Sequence, residues 1–494
     1  MTHSWVLVPA VLALPALLAA AGMLSRSARA ALALCSAGTV ATGALMASLA
    51  ALVPHGGAVT VPGGWLRVDS LSALHLVVMA AVFCLGALQA PGYFRHGIAD
   101  GSFDRRTARR YAGLWFGSLA AMAAVLLSNN LGVMWVGIEA TTLLTAFLIC
   151  VTTTPASLEA MWKYLLMCSV GVALAFTGTL LLAASGGRTG IHGTDALLWT
   201  SLAASARGLD VPLVKAGFVF ITIGYGTKAG LAPMHNWLPD AHSQAPAPVS
   251  AVFSGFLLNA ALYCILRCLP VAEAATGDVG WARGILVAAG LVSILTAAAF
   301  VVVQRDLKRL LAYSSLEHIG IVTLGAGIGG AGAFAAMYHM VLHSVAKSTA
   351  FTGAGRLIEA FGSNEMKRIR GSLSAAPLWG TCLLLSLLAL VGTAPFGLFF
   401  SEFMMLRAAF DAGSYAVGAA FLAGLSIVFI GVLRHAIPMA WAPGERPAAA
   451  HAPGILEWLI VALPLAAVLL SGLWMPPFAR EAFAAAASVM GVLP

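Results

Sequence analysis

Charge is scarce in this sequence. Of its 494 residues only 9% are Asp, Glu, Lys or Arg, whereas 60% are hydrophobic. An ordinary soluble domain carries about 25% charged residues, so this chain cannot cover a surface that meets water on all sides. That excludes a soluble globular protein and points to a polytopic membrane protein. The formal net charge of +8 then reads as basic loops facing the cytoplasm rather than as a nucleic-acid footprint, and no nucleic-acid partner is expected. Cysteine is thin as well. Cys35, Cys84, Cys150, Cys168, Cys264, Cys268 and Cys382 are scattered, mostly inside apolar runs, without a cluster or zinc spacing, and read as inert buried thiols. A P-loop, a GxSxG elbow, an HExxH pair and a dinucleotide fingerprint are all missing. The chain is therefore expected to hold no cofactor, no metal and no redox centre of its own. Its start lacks a charged leader and a convincing cleavage site, so the first apolar run reads as a retained helix.

What is present is a succession of apolar runs. A spanning helix needs about 20 apolar residues, and about fourteen segments qualify. They are 5–24, 29–53, 70–90, 110–128, 131–151, 159–184, 212–240, 248–269, 281–303, 308–328, 332–360, 376–410, 414–440 and 455–475. The expected fold class is all-α. "REAFAAAASVMG" near the end reads as a short surface helix. Basic residues crowd alternate loops: Arg26 and Arg29; Arg95, Arg105, Arg106, Arg109 and Arg110; Arg305, Lys308 and Arg309; Lys367, Arg368 and Arg370; Arg434 and Arg446. By the positive-inside rule this face is cytoplasmic, and both termini lie on the periplasmic side. The loop 186–211 has only Arg188 and Arg207, and 270–280 is acidic.

Two segments are interrupted alike, the seventh at "GLAP" (Gly230 to Pro233) and the twelfth at "GTAP" (Gly392 to Pro395). Such paired breaks, here about 160 residues apart, point to repeated halves and a site near the mid-plane. Broken backbone at membrane depth is tolerated only where protein or a hydrated cavity satisfies it. Lys228 precedes the first break in "GTKAGLAPMHNWLPDAHSQAPAP", where water and polar groups can reach it.

An intramembrane charge costs at least about 2.5–3.5 kcal/mol on insertion scales, so each one raises a functional hypothesis. Glu139 lies in "VMWVGIEATTLLTAFL" with no other charge near it; the bland alternative is a hydrogen-bonding anchor. For Lys228 the alternative is a snorkelling lysine, weakened by the break that holds it near the centre. His339, His343 and Lys347 fall at i, i+4 and i+8 and form one stripe on a helix face, against the plain reading of satisfied core histidines. Glu402 follows the second break in "APFGLFFSEFMML", where it could also be an interfacial helix-end charge. Glu159 and Lys163 read equally as a surface pair or as functional groups. Asp240, His242, Glu317 and His318 are expected near membrane edges or cavity mouths. The row mixes carboxylates, lysines and histidines. Histidine titrates near neutral pH, and burial disfavours the charged form of both lysine and glutamate. Bridged by water, such a row can pass protons.

At these residues a resemblance appears. "TKAGLAPMHNWLPDAHSQAPAPVSA", "QRDLKRLLAYSSLEHIG", "YHMVLHSVAKSTAFTGAG" and "APFGLFFSEFMML" resemble the antiporter-like, proton-translocating membrane subunits of respiratory complex I, of Mrp-type sodium/proton antiporters and of membrane-bound hydrogenases. The match is strongest from about 110 to 410, and "SSLEHIG" most resembles the F-type membrane subunits of hydrogenase-4. The resemblance implies inverted five-helix repeats within fourteen helices: 1–109 as three leading helices, 110–270 as the first repeat, 271–440 as the second, and 441–494 as the last helix and tail. It implies ion-translocation roles for Glu139, Lys228, His343, Lys347 and Glu402; His339 joins them by its place in the stripe, and Lys163, Asp240, His242, Asp306, Lys308, Glu317 and His318 are accessory candidates. Many members carry a lysine or histidine in the eighth helix; here Ser254 and Asn259 match, and are expected to hold water instead. The chain stops soon after its last apolar segment, without the long lateral helix of the largest complex I member.

The reading is an ion-translocating subunit of a complex I-like redox assembly of the hydrogenase-4 type in a bacterial inner membrane. Its expected partners are other membrane subunits, a peripheral redox module that carries the cofactors, the lipid bilayer, and protons or Na+. The rivals are a subunit of an Mrp-type antiporter, a proton-coupled energising subunit of inorganic-carbon uptake, and an inactive scaffold whose charges only join helices. Glu139 and Lys228 are expected to pair in one state of the cycle.

Overall fold

The computed structural model describes residues 4–53, 57–444 and 453–491; Arg446 lies outside the described residues. Helices occupy each of the apolar segments named above. Their starts are set by short polar side chains that accept the first free backbone N–H groups. Asp104 accepts from Thr107 N (2.8 Å), Asn130 from Gly132 N (2.9 Å), Thr154 from Ser157 N (3.0 Å) and Asp306 from Arg309 N (2.9 Å). The all-α expectation needs one addition. Ala58–Thr60 and Arg67–Asp69 pair as an antiparallel hairpin with Val59 opposite Val68, turned through Gly63 and Gly64, both at positive φ. The 186–211 loop also carries a short helix, Trp199–Ala204.

The burial pattern is that of a chain in lipid. Large apolar residues such as Phe429, Ile430 and Ile437 face outward, while Lys228, His318, His339, His343 and Lys347 are fully buried. Among the described residues, nine helices are long and apolar enough to cross a membrane, and Leu7–Met23 and Pro377–Leu390 are shorter apolar helices. Ala247–Thr276 lies at the centre, with its most apolar window entirely buried. Lipid offers no hydrophobic drive between helices, so close backbone approach at small residues joins them. A Cβ at Gly224 would collide with Ala175 N, which joins Val211–Ala229 to Pro155–Ser185. A Cβ at Gly290 would lie 2.7 Å from Gly320 O, which joins Val279–Val301 to Leu307–Ile328.

Three irregularities position the polar interior. The seventh segment runs as Val211–Ala229, ends at left-handed Gly230 (φ 78°) and resumes as Trp237–Gln244. The twelfth runs as Pro377–Leu390, turns at Gly392 (φ 65°) and resumes as Gly397–Asp411. The Ala232–Pro233 and Ala394–Pro395 peptide bonds are cis. The third has no counterpart in the sequence reading: Phe253–Leu257 forms a π-helical turn inside the central helix, the kind of bulge that often accompanies functional positions. The final helix, Pro477–Ser488, is not a free surface element, because Phe483 packs against Phe334 and Tyr338.

Candidate functional site

Lys228 ends the Val211–Ala229 helix, and its ammonium points between two neighbouring helices. It donates to Thr142 Oγ1 (3.0 Å) and to the Tyr164 hydroxyl. Tyr164 is itself joined to Thr145 Oγ1 (2.5 Å), and the ammonium lies 4.5 Å from the Tyr164 ring centroid. A buried cation is tolerable where hydroxyl oxygens and an aromatic face replace water. Glu139 sits on Leu131–Ile149 beside this group. Its Oε1 accepts from Ser169 Oγ (3.2 Å), and its Oε2 is buried without a protein partner. Glu139 and Lys228 form no ion pair in this structure: the hydroxyls of Thr142 and Tyr164 take the place expected of the carboxylate.

The central helix carries the polar chain from one half toward the other. Ser254 and Ser315 share a 2.6 Å hydrogen bond. Asn259 donates to Ser344 Oγ (2.9 Å) and Gly255 O (3.0 Å), while its Oδ1 is buried and unpartnered. The π-turn that contains Ser254 shifts the register of the backbone here, which the sequence pattern does not signal.

Lys347 occupies the middle of Ala331–Phe361 and donates to Ser314 Oγ (2.8 Å) and Leu311 O (3.2 Å). Glu317 lies one turn beyond Ser314, with Oε2 buried and unpartnered. Next along the same helix, His318 meets the histidine stripe. Its Nδ1 is 3.0 Å from His339 Nε2, and its ring centroid is 4.7 Å from that of His343. His339 Nδ1 in turn lies 2.9 Å from Ser401 Oγ, which donates to Leu398 O (2.7 Å). These contacts order the tautomers. Ser401 accepts from His339 Nδ1–H, so a neutral His339 accepts at Nε2 from His318 Nδ1–H. Both His343 nitrogens, His318 Nε2 and Glu402 Oε1 are buried without a protein partner. The Glu402 carboxylate lies against the second break, where a Cβ at Gly392 would collide with Oε2.

The positions expected at membrane edges need correction. Glu317 and His318 sit mid-way along Leu307–Ile328, 2% and 0% exposed. That helix is buried on almost every side, so its pattern holds no outward face from which depth could be read. His242 is also fully buried, stacked on Phe351 at 5.0 Å, with both nitrogens unpartnered. Lys308 is not a free loop cation: it is buried and donates to Ser243 O and Ala245 O. Asp240 does lie at an edge, partly exposed, pairing with Arg309 and with Lys163 (3.1 Å). Lys163 is half-exposed and also pairs with Glu159 at 2.6 Å. Asp306 caps a helix start, and Arg434 falls within Tyr415–Trp441 rather than in a loop. Sequence reasoning missed the hydroxyls of Thr142, Thr145, Tyr164, Ser169, Ser314, Ser315, Ser344 and Ser401. Several lie three or four residues from an intramembrane charge in sequence, as Thr142 does from Glu139, and that spacing is the available signal.

The chain matches known proteins. The family model described as NADH:quinone oxidoreductase/Mrp antiporter, TM, matches residues 128–428. The Hydrogenase-4 component F homolog of Methylacidiphilum infernorum is 42% identical over 373 residues, covering 75% of this chain and 78% of that protein. Hydrogenase-4 component B of Escherichia coli is 27% identical over 442 residues, and the matched region spans 63% of its length. A chain of respiratory complex I from Thermus thermophilus superposes with a TM-score of 0.83 at 25% identity, covering 99% of this chain and 100% of that one. The chain therefore belongs to the NADH:quinone oxidoreductase/Mrp antiporter family, as a multi-pass, antiporter-like membrane subunit.

Proposed function

We propose that the chain translocates protons through its row of buried ionisable groups, as a subunit of a complex I-like redox assembly of the hydrogenase-4 type. In this reading fourteen helices span a bacterial inner membrane with both termini periplasmic, and 110–270 and 271–440 are inverted repeats. The cofactors sit in partner subunits. The names of the relatives favour the hydrogenase-4 type over an Mrp antiporter, since the Methylacidiphilum infernorum and Escherichia coli proteins are both called hydrogenase-4 components.

The observation that carries the reading is a set of buried atoms without a protein partner between Lys347 and the second break: Glu317 Oε2, both nitrogens of His343, His318 Nε2 and Glu402 Oε1. A buried polar group without a partner costs about 1–3 kcal/mol. A polar site of this kind is where water is stable, and water joins such groups into a proton route. Protons pass from the Lys228–Glu139 region by way of Ser254 and Asn259 to Lys347, and then through His343, His318 and His339 toward Glu402. The His318–His339–Ser401 chain holds the rings in register for transfer. At Glu402 a bound proton makes the carboxyl neutral. Its loss restores a negative charge that attracts the next proton toward it. The test uses sealed vesicles from cells that make the whole assembly. Lys347→Ala abolishes substrate-driven proton uptake while the subunits still co-purify; uptake at the wild-type rate would remove the row from the mechanism. Redox subunits among the co-purifying proteins identify the hydrogenase-type assembly, and Mrp subunits alone would overturn it.

A further inference from the structure

His318, His339 and Glu402 come from three different helices, all buried, and their ligating atoms lie within 4.8 Å of one another. We infer that these three side chains form a site for a divalent transition-metal ion of the Zn2+ class. Zinc takes histidine nitrogen at about 2.0–2.1 Å in tetrahedral geometry, which places two ligating nitrogens about 3.3 Å apart. His318 Nδ1 and His339 Nε2 are already 3.0 Å apart, so a few tenths of an ångström open the space. The ion takes the place of the proton between the two rings: neutral His318 shifts its single N–H proton from Nδ1 to Nε2, no proton is lost, and both facing lone pairs become ligands. Glu402 supplies the carboxylate through Oε1, which has no protein partner. His339 keeps its Nδ1–H on Ser401 Oγ at 2.9 Å, the kind of outer contact that fixes ring orientation and tautomer in metal sites. The glycine at 392 is the only residue that leaves room for the carboxylate where it stands. Two imidazoles and one carboxylate suit zinc, and three protein ligands leave a fourth position for water.

A bound ion would hold the lone pairs that the proposed proton route needs, so Zn2+ would stop translocation. That consequence rests on the reading given above; the site does not. The experiment titrates the purified assembly, free of affinity tags, with Zn2+ by equilibrium dialysis, and with Co2+ by its visible absorption. One ion per subunit is expected, with an X-ray absorption signature of two imidazoles. His318→Gln and Glu402→Gln each weaken binding at least about 100-fold, and Ser401→Ala weakens it about 10-fold. His96→Gln, at an exposed histidine, leaves it unchanged. Lack of tight binding, or binding that both His318→Gln and Glu402→Gln retain, would overturn the site. If Zn2+ binds as expected yet wild-type vesicles pump undisturbed with the site full, the site stands and the proton route through it falls.

Discussion

Lys228 and Lys347 are both fully buried lysines, yet their surroundings differ. Lys228 is enclosed by the hydroxyls of Thr142 and Tyr164 and by the Tyr164 ring. Its nearest functional candidate, Glu139, holds Ser169 instead. Lys347 has one hydroxyl and one carbonyl, and from it toward the second break run Glu317, His343, His318, His339 and Glu402, several with atoms that no protein group satisfies. The first half holds a charge in a fixed cage of neutral partners. The second half holds a set of exchangeable groups. A fixed cage suits a charge that switches its neighbours by its presence; a set of unpartnered titratable atoms suits the passage of a proton itself. The breaks differ in the same sense. A Cβ at Gly230 would meet Leu238 Cδ2 at 3.3 Å, whereas one at Gly392 would collide with the Glu402 carboxylate. At its glycine the first break faces leucine side chains, and the second faces the candidate proton carrier.

If Lys228 acts by its charge, its loss is the most severe change in the first half. Lys228→Ala lowers substrate-driven proton uptake at least about 100-fold, equivalent to about 2.7 kcal/mol in a barrier. Lys228→Arg keeps the charge but not the fit to Tyr164, and retains a measurable fraction. Equal loss in both variants would show that shape, not charge, is what matters there.

The cage itself is tested by Tyr164→Phe. A hydrogen bond to a charged group contributes about 1.5–3 kcal/mol, and Thr142 keeps one oxygen on the ammonium. Thermal unfolding in detergent therefore shifts down modestly and pumping falls less than in Lys228→Ala. An unchanged melting temperature would mean that the hydroxyl contributes nothing to holding Lys228.

The breaks allow a matched pair. Gly230→Ala and Gly392→Ala both place a side chain at positive φ, a strain of roughly 1–2 kcal/mol, so both lose similar stability from the backbone. Only Gly392→Ala also displaces a titratable carboxylate. It should pump several-fold more slowly than Gly230→Ala at matched expression; equal rates would separate Glu402 from the break.

Much of this architecture is legible in residue patterns, and the reasons differ by element. The two broken helices are legible because Gly followed by Ala-Pro interrupts an otherwise apolar run. The histidine stripe is legible because 339, 343 and 347 repeat at helical spacing. The depth of Glu317 and His318 is not, because Leu307–Ile328 is surrounded by protein and shows no amphipathic phase. The π-turn at Phe253–Leu257 is hidden for a related reason: every side of that helix is covered, so a shift in register leaves no mark on its apolar pattern. Contacts such as His318 with His339, or Tyr164 with Lys228, join separate helices and arise only from packing. The small hairpin escapes notice because each strand has three residues, too few to show alternation.

Glu402 is where the contrast between the halves becomes a claim about mechanism. Its carboxylate has an unpartnered oxygen, neighbours His318 and His339, and lies against the second break. The most direct measurement is proton uptake by sealed vesicles carrying Glu402→Gln, with assembly checked by co-purification of the subunits. Glutamine keeps the shape and removes the exchangeable proton, so the account predicts an assembled complex that does not translocate, with Glu402→Lys retaining part of the rate. Pumping at the wild-type rate by an assembled Glu402→Gln complex would contradict it.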